Sequence, residues 1–432
     1  MTLERGKTVA YGPGGRLVQL PFVRAGHWVF GTGLRATRAD GLMDPAVVLP
    51  HHPLATPPQA QREAAAIFAT AAAGLQGLGS GLDRVARLDQ YYTDVLHVDP
   101  YHVVRKQALA GQVAPSTSVV VGGLLNRDAS MDVQFMAATA ASGYSARTVG
   151  QDRLNVPSTS GYAPCLRMGD MLFVAGQLAR DASGQIAAEA MLPPGQAWSG
   201  TRIKLETRYI VQQRLAPALE AGGSGLDLVL KAQVYLSREA DFPAFWQAWT
   251  EAFGDRIPPT TVVPVEAPAF GTHAATIEVN IIAAHADARA GVQDIRCADV
   301  PLMTPGALHA CRFDGLLFVT GLSAAGPAGL PADLRADPAA PFYEDPARVQ
   351  MDHILAQART IFAAAGTDLS QVVRALHFHA DLADFPRACG AWEHAVGAAC
   401  EQGLPCTAVR VSPGLFAPGV RLVADLWGYA PG

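Results

Sequence analysis

The sequence predicts an α+β protein in which one β-β-α-β-α-β-β unit is written three times. Two markers carry that reading. An apolar run closed by Gly recurs at residues 28–33 (WVFGTG), 171–176 (MLFVAG) and 316–321 (LLFVTG), whose last residues lie 143 and 145 positions apart. A Leu-led turn running into a strand begins at Leu82, Leu226 and Leu369, which are 144 and 143 apart. Two unrelated signals with one spacing fix a single register. The 432 residues then divide near positions 148 and 290 into units 1–148, 149–290 and 291–432.

Each unit opens with two strands around the Gly-closed run, followed by a loop of variable Pro and Gly content. Apolar residues spaced by three and four then predict a helix with one buried face over 61–75, 202–221 and 348–365. Gly74, Gly222 and Gly366 stand where those helices stop. A strand follows within 82–94, 226–241 and 369–381, and a second helix over 100–109, 242–253 and 385–399. The closing strands are 118–121, 262–265 and 409–411, then 132–138, 277–284 and 420–427. A sheet with helices on one face needs cover on the other, and three sheets closing about a common axis supply it.

Half of the residues are hydrophobic and 16% are charged, enough apolar surface for large cores. The net charge is -5, and Lys and Arg form no stripe that would neutralise a run of phosphates, so nucleic acid is not the expected partner. No apolar run approaches the length of a membrane span and the first fifteen residues lack an apolar signal core, so a cytoplasmic protein without membrane contact is expected. The six cysteines never form C-x-x-C, which predicts reduced thiols rather than a zinc cage or a disulfide framework. The glycine-rich stretch 11–15 is not followed by a helix carrying Lys-Ser/Thr and reads as a turn, not a phosphate loop.

The second unit carries FVAGQ at 173–177, VYL at 234–236, DFPAF at 241–245, PTTV at 259–262 and IEVN at 277–280. In that order and spacing these motifs resemble the Rid family, also called YjgF, of reactive-intermediate deaminases, and the other two units resemble it more loosely. The resemblance implies a chorismate-mutase-like fold and a homotrimer with ligand clefts between subunits. Three units in one chain then imply an intramolecular pseudo-trimer, monomeric and free to associate further.

The resemblance also implies site residues. Typical members carry an Arg before the Ser/Thr of the closing strand, clamping the substrate carboxylate; Pro115, Pro259 and Cys406 are read at that place here, so turnover of 2-iminopropanoate-type intermediates is expected to be poor. The family's acid on the last strand is read at Gln134, Asn280 and Asp425, its tyrosine at Tyr162 alone, and its ligand-facing glycine at Gly33, Gly176 and Gly321. Only Asp425 among the three last-strand positions ionises at neutral pH, which makes it the candidate catalytic residue; the competing reading is a structural ion pair with a nearby Arg. Cys406, Gly321, Arg410, Arg421, Tyr162, Gly176 and Asn280 are the candidate binding residues, with Arg410 and Arg421 as substitutes for the missing clamp. His377 and His379 share a strand face and His309 precedes the first strand of its unit, but no third ligand has metal-site spacing, and the His51, His52 pair sits in a Pro-rich loop. Trp246, Trp249, Trp392 and Trp427 read as core or interface anchors. No cofactor or metal is expected.

The expected function is therefore a metal-free hydrolase or deaminase acting on an enamine, imine or amide-type small molecule at an inter-domain cleft, with a carboxylate positioning water. The alternative is a non-catalytic small-molecule-binding or scaffold protein with degenerate clefts. Cyanuric-acid hydrolases and barbiturases, also built from three related units, use a Ser-Lys pair in each; here Lys231 aligns with Arg87 and Arg374, so that mechanism is not expected.

Overall fold

The computed structural model describes the chain except residues 1–2, 12–16, 50–56, 111–112, 155–160, 196–199, 267–268, 271–273, 336–338, 340–344, 398–401 and 432. The His51, His52 pair and residues 12–15 of the glycine-rich stretch lie outside the described residues.

Three large sheets share one strand order. In the first, Leu3–Arg5, Phe22–Ala25, Trp28–Leu34, Met131–Ala138, Val85–Tyr92 and Ser116–Val120 lie side by side. The second runs Ala146–Val149, Cys165–Met168, Met171–Gln177, Ile277–Ala284, Val229–Leu236 and Thr260–Pro264, and the third runs Gln293–Ile295, Ala310–Phe313, Leu316–Val319, Leu422–Tyr429, Val372–His379 and Cys406–Arg410. Gly123–Leu124, which lies in the chain between Ser116–Val120 and Met131–Ala138 of the first sheet, extends the edge of the third. The last two strands of each order pair in parallel, which requires a crossover, and the second helices Val98–Ala108, Phe242–Phe253 and Phe385–Val396 supply it.

Two features differ from the sequence expectation. Each sheet gains an edge strand before the two expected opening strands, and Ala146–Val149 spans the boundary placed at 148 and pairs with the second sheet. The helix expected over 202–221 is interrupted, Arg202–Tyr209 and Ala216–Ala221 being joined by a π-turn over Ile210–Leu215. Its counterparts Gln59–Gly77 and Pro346–Ala364 are unbroken α-helices. A buried side chain anchors each first helix to the start of its last strand: Glu63 accepts from the Ser130 amide at 2.8 Å, Glu206 from the Thr276 amide at 3.0 Å, and Gln350 from the Arg421 amide at 2.8 Å. These buried groups are structural, because their acceptors are filled by backbone donors.

The helices cover one face of each sheet. The opposite faces bury themselves against one another, in one place through Trp28, Phe30, Phe173, Phe318 and Trp427, and in another through Tyr91, Tyr235 and Phe378, where the two tyrosine hydroxyls meet at 2.8 Å. A polar layer is buried with them. Lys231 and Arg374 flank the Asp425 carboxylate at 2.6 and 3.0 Å, and Arg374 and Arg87 share Asp89 at 3.3 and 2.7 Å. Gln134, Gln233, Asn280 and Thr261 complete it with hydrogen bonds. Among the described residues no helix is long and apolar enough to cross a membrane.

Candidate functional site

The antiparallel register sorts the last strand of each sheet. Opposite Tyr91, Tyr235 and Phe378 stand Asp132, Glu278 and Val423; two residues further on, opposite Asp89, Gln233 and Leu376, stand Gln134, Asn280 and Asp425. The second set forms the polar layer between the sheets. Asp425 is fully buried there and, besides its two cations, accepts from Gln233 Nε2 at 2.6 Å and Thr261 Oγ1 at 3.0 Å. Burial pushes its carboxyl up, but Lys231 and Arg374 outweigh that and hold it below the usual carboxylate range. A carboxylate with every lone pair engaged in an ion-pair layer has no approach for water, so the structure gives Asp425 a structural task in place of the catalytic one. Asn280 shares that layer, accepting from Arg87 at 2.6 Å and donating to Thr117 at 2.9 Å, which removes it from the binding set.

The first set faces the seams between sheets. At the seam between the first and second sheets, the Ala163 amide donates to the Val113 carbonyl at 2.8 Å, bringing Tyr162 to the edge of the first sheet. The ladder between Met171–Gln177 and Ile277–Ala284 slips between Val174 and Gln177, a bulge that sets Gly176 beside Glu278. A Cβ at Gly176 would collide with the Glu278 carboxyl, so any larger residue here would displace that carboxyl from its present position. Burial pushes the Glu278 carboxyl up to about 8, against the pull of Arg180. Tyr162 lies in the field of the same carboxyl and of the Arg180, Arg214 and Arg105 guanidiniums. Arg214, from the π-turn, donates to Gln177 Oε1 at 3.0 Å. From the first sheet's second helix, Arg105 donates to Ser116 Oγ at 2.6 Å and stands 5.9 Å over the Tyr162 ring.

The other two seams are filled by the chain itself. Between the second and third sheets, Thr320 Oγ1 and the Gly321 amide donate to the Thr260 carbonyl at 2.9 and 3.2 Å, and the acid position holds Val423. Between the third and first sheets, Gly33 has a φ of 69° and is packed under Gln19 and Thr407, while Arg35 Nη1 binds Asp132 at 2.5 Å. Gln19 reaches the Cys406 carbonyl at 3.0 Å, in the place that Tyr162 occupies at the first seam.

These placements separate the candidate residues named from the sequence. Tyr162 and Gly176 are brought together. Gly321 and Cys406 lie at different seams, Gly321 against Thr261 and Cys406 with its sulfur 3.7 Å from His377 Nε2, beneath Trp392. Arg410 is spent on the Gly122 carbonyl and Arg421 on Asp384 at 2.7 Å, so neither replaces a clamp. The strand register also moves the clamp position by one residue in two units, since Leu88, Ala232 and Ala375 face Ser116, Thr260 and Cys406 rather than Pro115 and Pro259. Glu278, Arg105, Arg180 and Arg214 went unnamed. The IEVN motif contained Glu278 in plain view, but only the pairing register distinguishes it from Asn280. His309 ties down its own loop through the Cys297 amide and the Val300 carbonyl, and burial lowers His377 to about 4. Among the described residues no group of three or more metal-ligating side chains assembles.

Residues 153–285, the stretch that contains this seam's Tyr162, Gly176 and Glu278, match the family described as Endoribonuclease L-PSP. RutC family protein PH0854 of Pyrococcus horikoshii is 31% identical over 112 residues, covering 26% of this chain and 79% of that protein. The chain belongs to the L-PSP family. Among solved structures the chain is similar to a putative endoribonuclease of Thermotoga maritima, 27% identical over 32% of this chain and 96% of that one with a TM-score of 0.26. RidA of an Antarctic Psychrobacter is 19% identical over 32% and 98%, with a TM-score of 0.26. The L-PSP match covers the helices of the second sheet and all its strands but Ala146–Val149, and it contains Tyr162, Gly176 and Glu278 together.

Proposed function

We propose that this L-PSP chain is a hydrolase of C–N bonds, removing ammonia from an enamine, imine or amide-type small molecule at the seam between the first two of three Rid-like units. The equal strand orders and the shared 143–145-residue register support three such units closed as a pseudo-trimer with boundaries near 148 and 290. The observation that carries the functional reading is the Glu278 carboxyl, buried against Gly176 and raised to about 8, so that it holds a proton at neutral pH in a seam lined by Tyr162. A carboxyl tuned to that range both donates and accepts protons near neutrality.

For an imine the steps balance as follows. Glu278 donates its proton to the imine nitrogen, the resulting carboxylate takes a proton from water as the water oxygen bonds to carbon, and the carbinolamine forms. The proton returned to Glu278 is then delivered to the amine nitrogen, the C–N bond breaks as the carbinolamine hydroxyl gives its proton back to the Glu278 carboxylate, and a ketone and ammonia leave. Tyr162 and the Gly176 backbone line the site. A net charge of -5 argues against RNA as the substrate. The filled second and third seams favour a purely structural role for those two interfaces.

The test is the decay of imines generated in situ from 2-oxo acids, followed with the full chain and with Glu278→Gln. The wild type is expected to accelerate decay and the variant to lose about 10²–10⁴-fold, the range for a general acid-base group. A wild type without effect on imines, or a variant as active as the wild type, overturns the reading.

A further inference from the structure

A cavity of about 860 Å³ opens in the first unit, between the helix Gln59–Gly77 and the strands Leu3–Arg5, Phe22–Ala25 and Trp28–Leu34. Its volume lies in the range of small-molecule sites, ~300–1,000 Å³. Every lining residue falls between positions 4 and 78, so it shares nothing with the Tyr162 seam. Its walls differ in chemistry. Pro21, Phe22, Leu34, Ala73 and Leu78 give an apolar surface, and three of them, Phe22, Leu34 and Leu78, belong to the core beneath the helix. Arg5 and Lys7, at the end of the edge strand and two positions beyond, give cations. The other charges of the lining are already matched, Glu4 by Arg24 at 3.4 Å and Arg35 by Asp132 at 2.5 Å. Among the described residues no carboxylate pairs with Arg5 or Lys7; Arg5 donates from one nitrogen to the Ser370 carbonyl at 2.9 Å, which leaves its charge in place. Burial lowers Arg5 from the ordinary arginine value and no anion pulls it back.

We propose that this cavity binds a small organic anion with one charged head and an apolar body, such as a medium-chain carboxylate, its head on Arg5 and Lys7 and its body against Phe22, Leu34 and Leu78. A guanidinium and an ammonium supply both charge and donors to a single carboxylate. Methylenes removed from water along the apolar wall add to that. A short anion leaves the apolar wall wet and a neutral chain leaves the cations unmatched, so the two halves select together. Ala73 and Gly77 line the cavity from exposed positions one helical turn apart, and a Cβ at Gly77 would meet no atom within 4 Å.

Isothermal titration of the full chain with octanoate, octanamide and butanoate separates the two requirements. Octanoate is expected to bind about tenfold tighter or more than octanamide, which keeps the chain without the charge, and than butanoate, which keeps the charge on a short chain. Lys7→Gln, at an exposed position, weakens octanoate about tenfold and leaves octanamide unchanged. The double variant Ala73→Phe/Gly77→Phe fills the cavity from the helix and abolishes octanoate binding; Lys7→Gln decides the matter if that variant does not fold. Glu278→Gln, at the Tyr162 seam, binds octanoate as the wild type does. No binding of octanoate, equal binding of octanoate and either control, wild-type affinity in Lys7→Gln or in the folded double variant, or loss of octanoate binding in Glu278→Gln overturns the proposal.

Discussion

At the scale of single residues, two acids on neighbouring last strands have opposite surroundings and therefore opposite expected roles. Glu278 has one positive neighbour acting against its burial and stays protonated; Asp425 has two and stays ionised. If Glu278 begins the reaction as proton donor, kcat/KM is level below pH 8 and falls about tenfold per pH unit above it, a limb that a pH-rate profile reads directly. Stability has the matching sign. A carboxyl raised from 4.5 to about 8 on folding holds a proton the unfolded chain has released, so it favours the native state at low pH and that contribution is lost as pH climbs from about 4.5 through 8. Glu278→Gln is accordingly expected to gain stability over the wild type, by up to a few kcal/mol, at pH 8 and above in urea titrations. Asp425→Asn removes the anion between Lys231 and Arg374; breaking a buried ion pair costs about 3–5 kcal/mol, while turnover by the folded fraction is expected to stay unchanged. Asp425→Asn protein that keeps wild-type stability and loses turnover would return the chemistry to Asp425.

At the scale of elements, the π-turn distinguishes the second unit. The extra residue in Ile210–Leu215 turns Arg214 toward Gln177, where an unbroken helix would carry the following side chains about 100° round its axis. Deleting the exposed Gln212 is expected to regularise the helix, part Arg214 from Gln177 and lower the melting temperature by a few degrees. A deletion variant that melts at the wild-type temperature would show that the Arg214–Gln177 contact does not hold the seam. The first helices of the other units have no such turn, and their seams are closed by Thr320 on Thr260 and by Arg35 on Asp132. Much of this scale was legible beforehand: the helices, the crossover strands and the Gly-closed runs lie where apolar spacing places them. The π-turn was not, because one added residue leaves the apolar face of 202–221 nearly unchanged.

At the scale of the whole molecule, the three sheets bury charge as well as aromatic rings on their inner faces. Arg87, Lys231 and Arg374 repeat at one strand position, and like charges there are tolerable only because Asp89 and Asp425 stand among them. The arrangement is unequal by construction, with neutral Gln233 where the first unit has Asp89. That inequality fixes which unit sits beside which, so the 149–290 segment expressed alone, with Lys231 in every copy and neither Asp89 nor Asp425, is expected to assemble poorly and precipitate. A stable homotrimer of that segment in sedimentation would refute a specifying role for the layer.

The sequence by itself determined the spacing of the repeated markers and the α+β elements, since spacing and local pattern depend only on neighbours along the chain. Tertiary structure decided the rest. Whether Glu278 or Asn280 faces the seam depends on a two-residue step in a ladder with Val229–Leu236, and whether Asp425 is a base or an anchor depends on Lys231, contributed by a different sheet nearly two hundred positions earlier. Arg105 meets Tyr162 only because the edge of one sheet closes on the next. A carboxyl takes its chemistry from the charges and solvent around it, and those are set by residues far away in sequence.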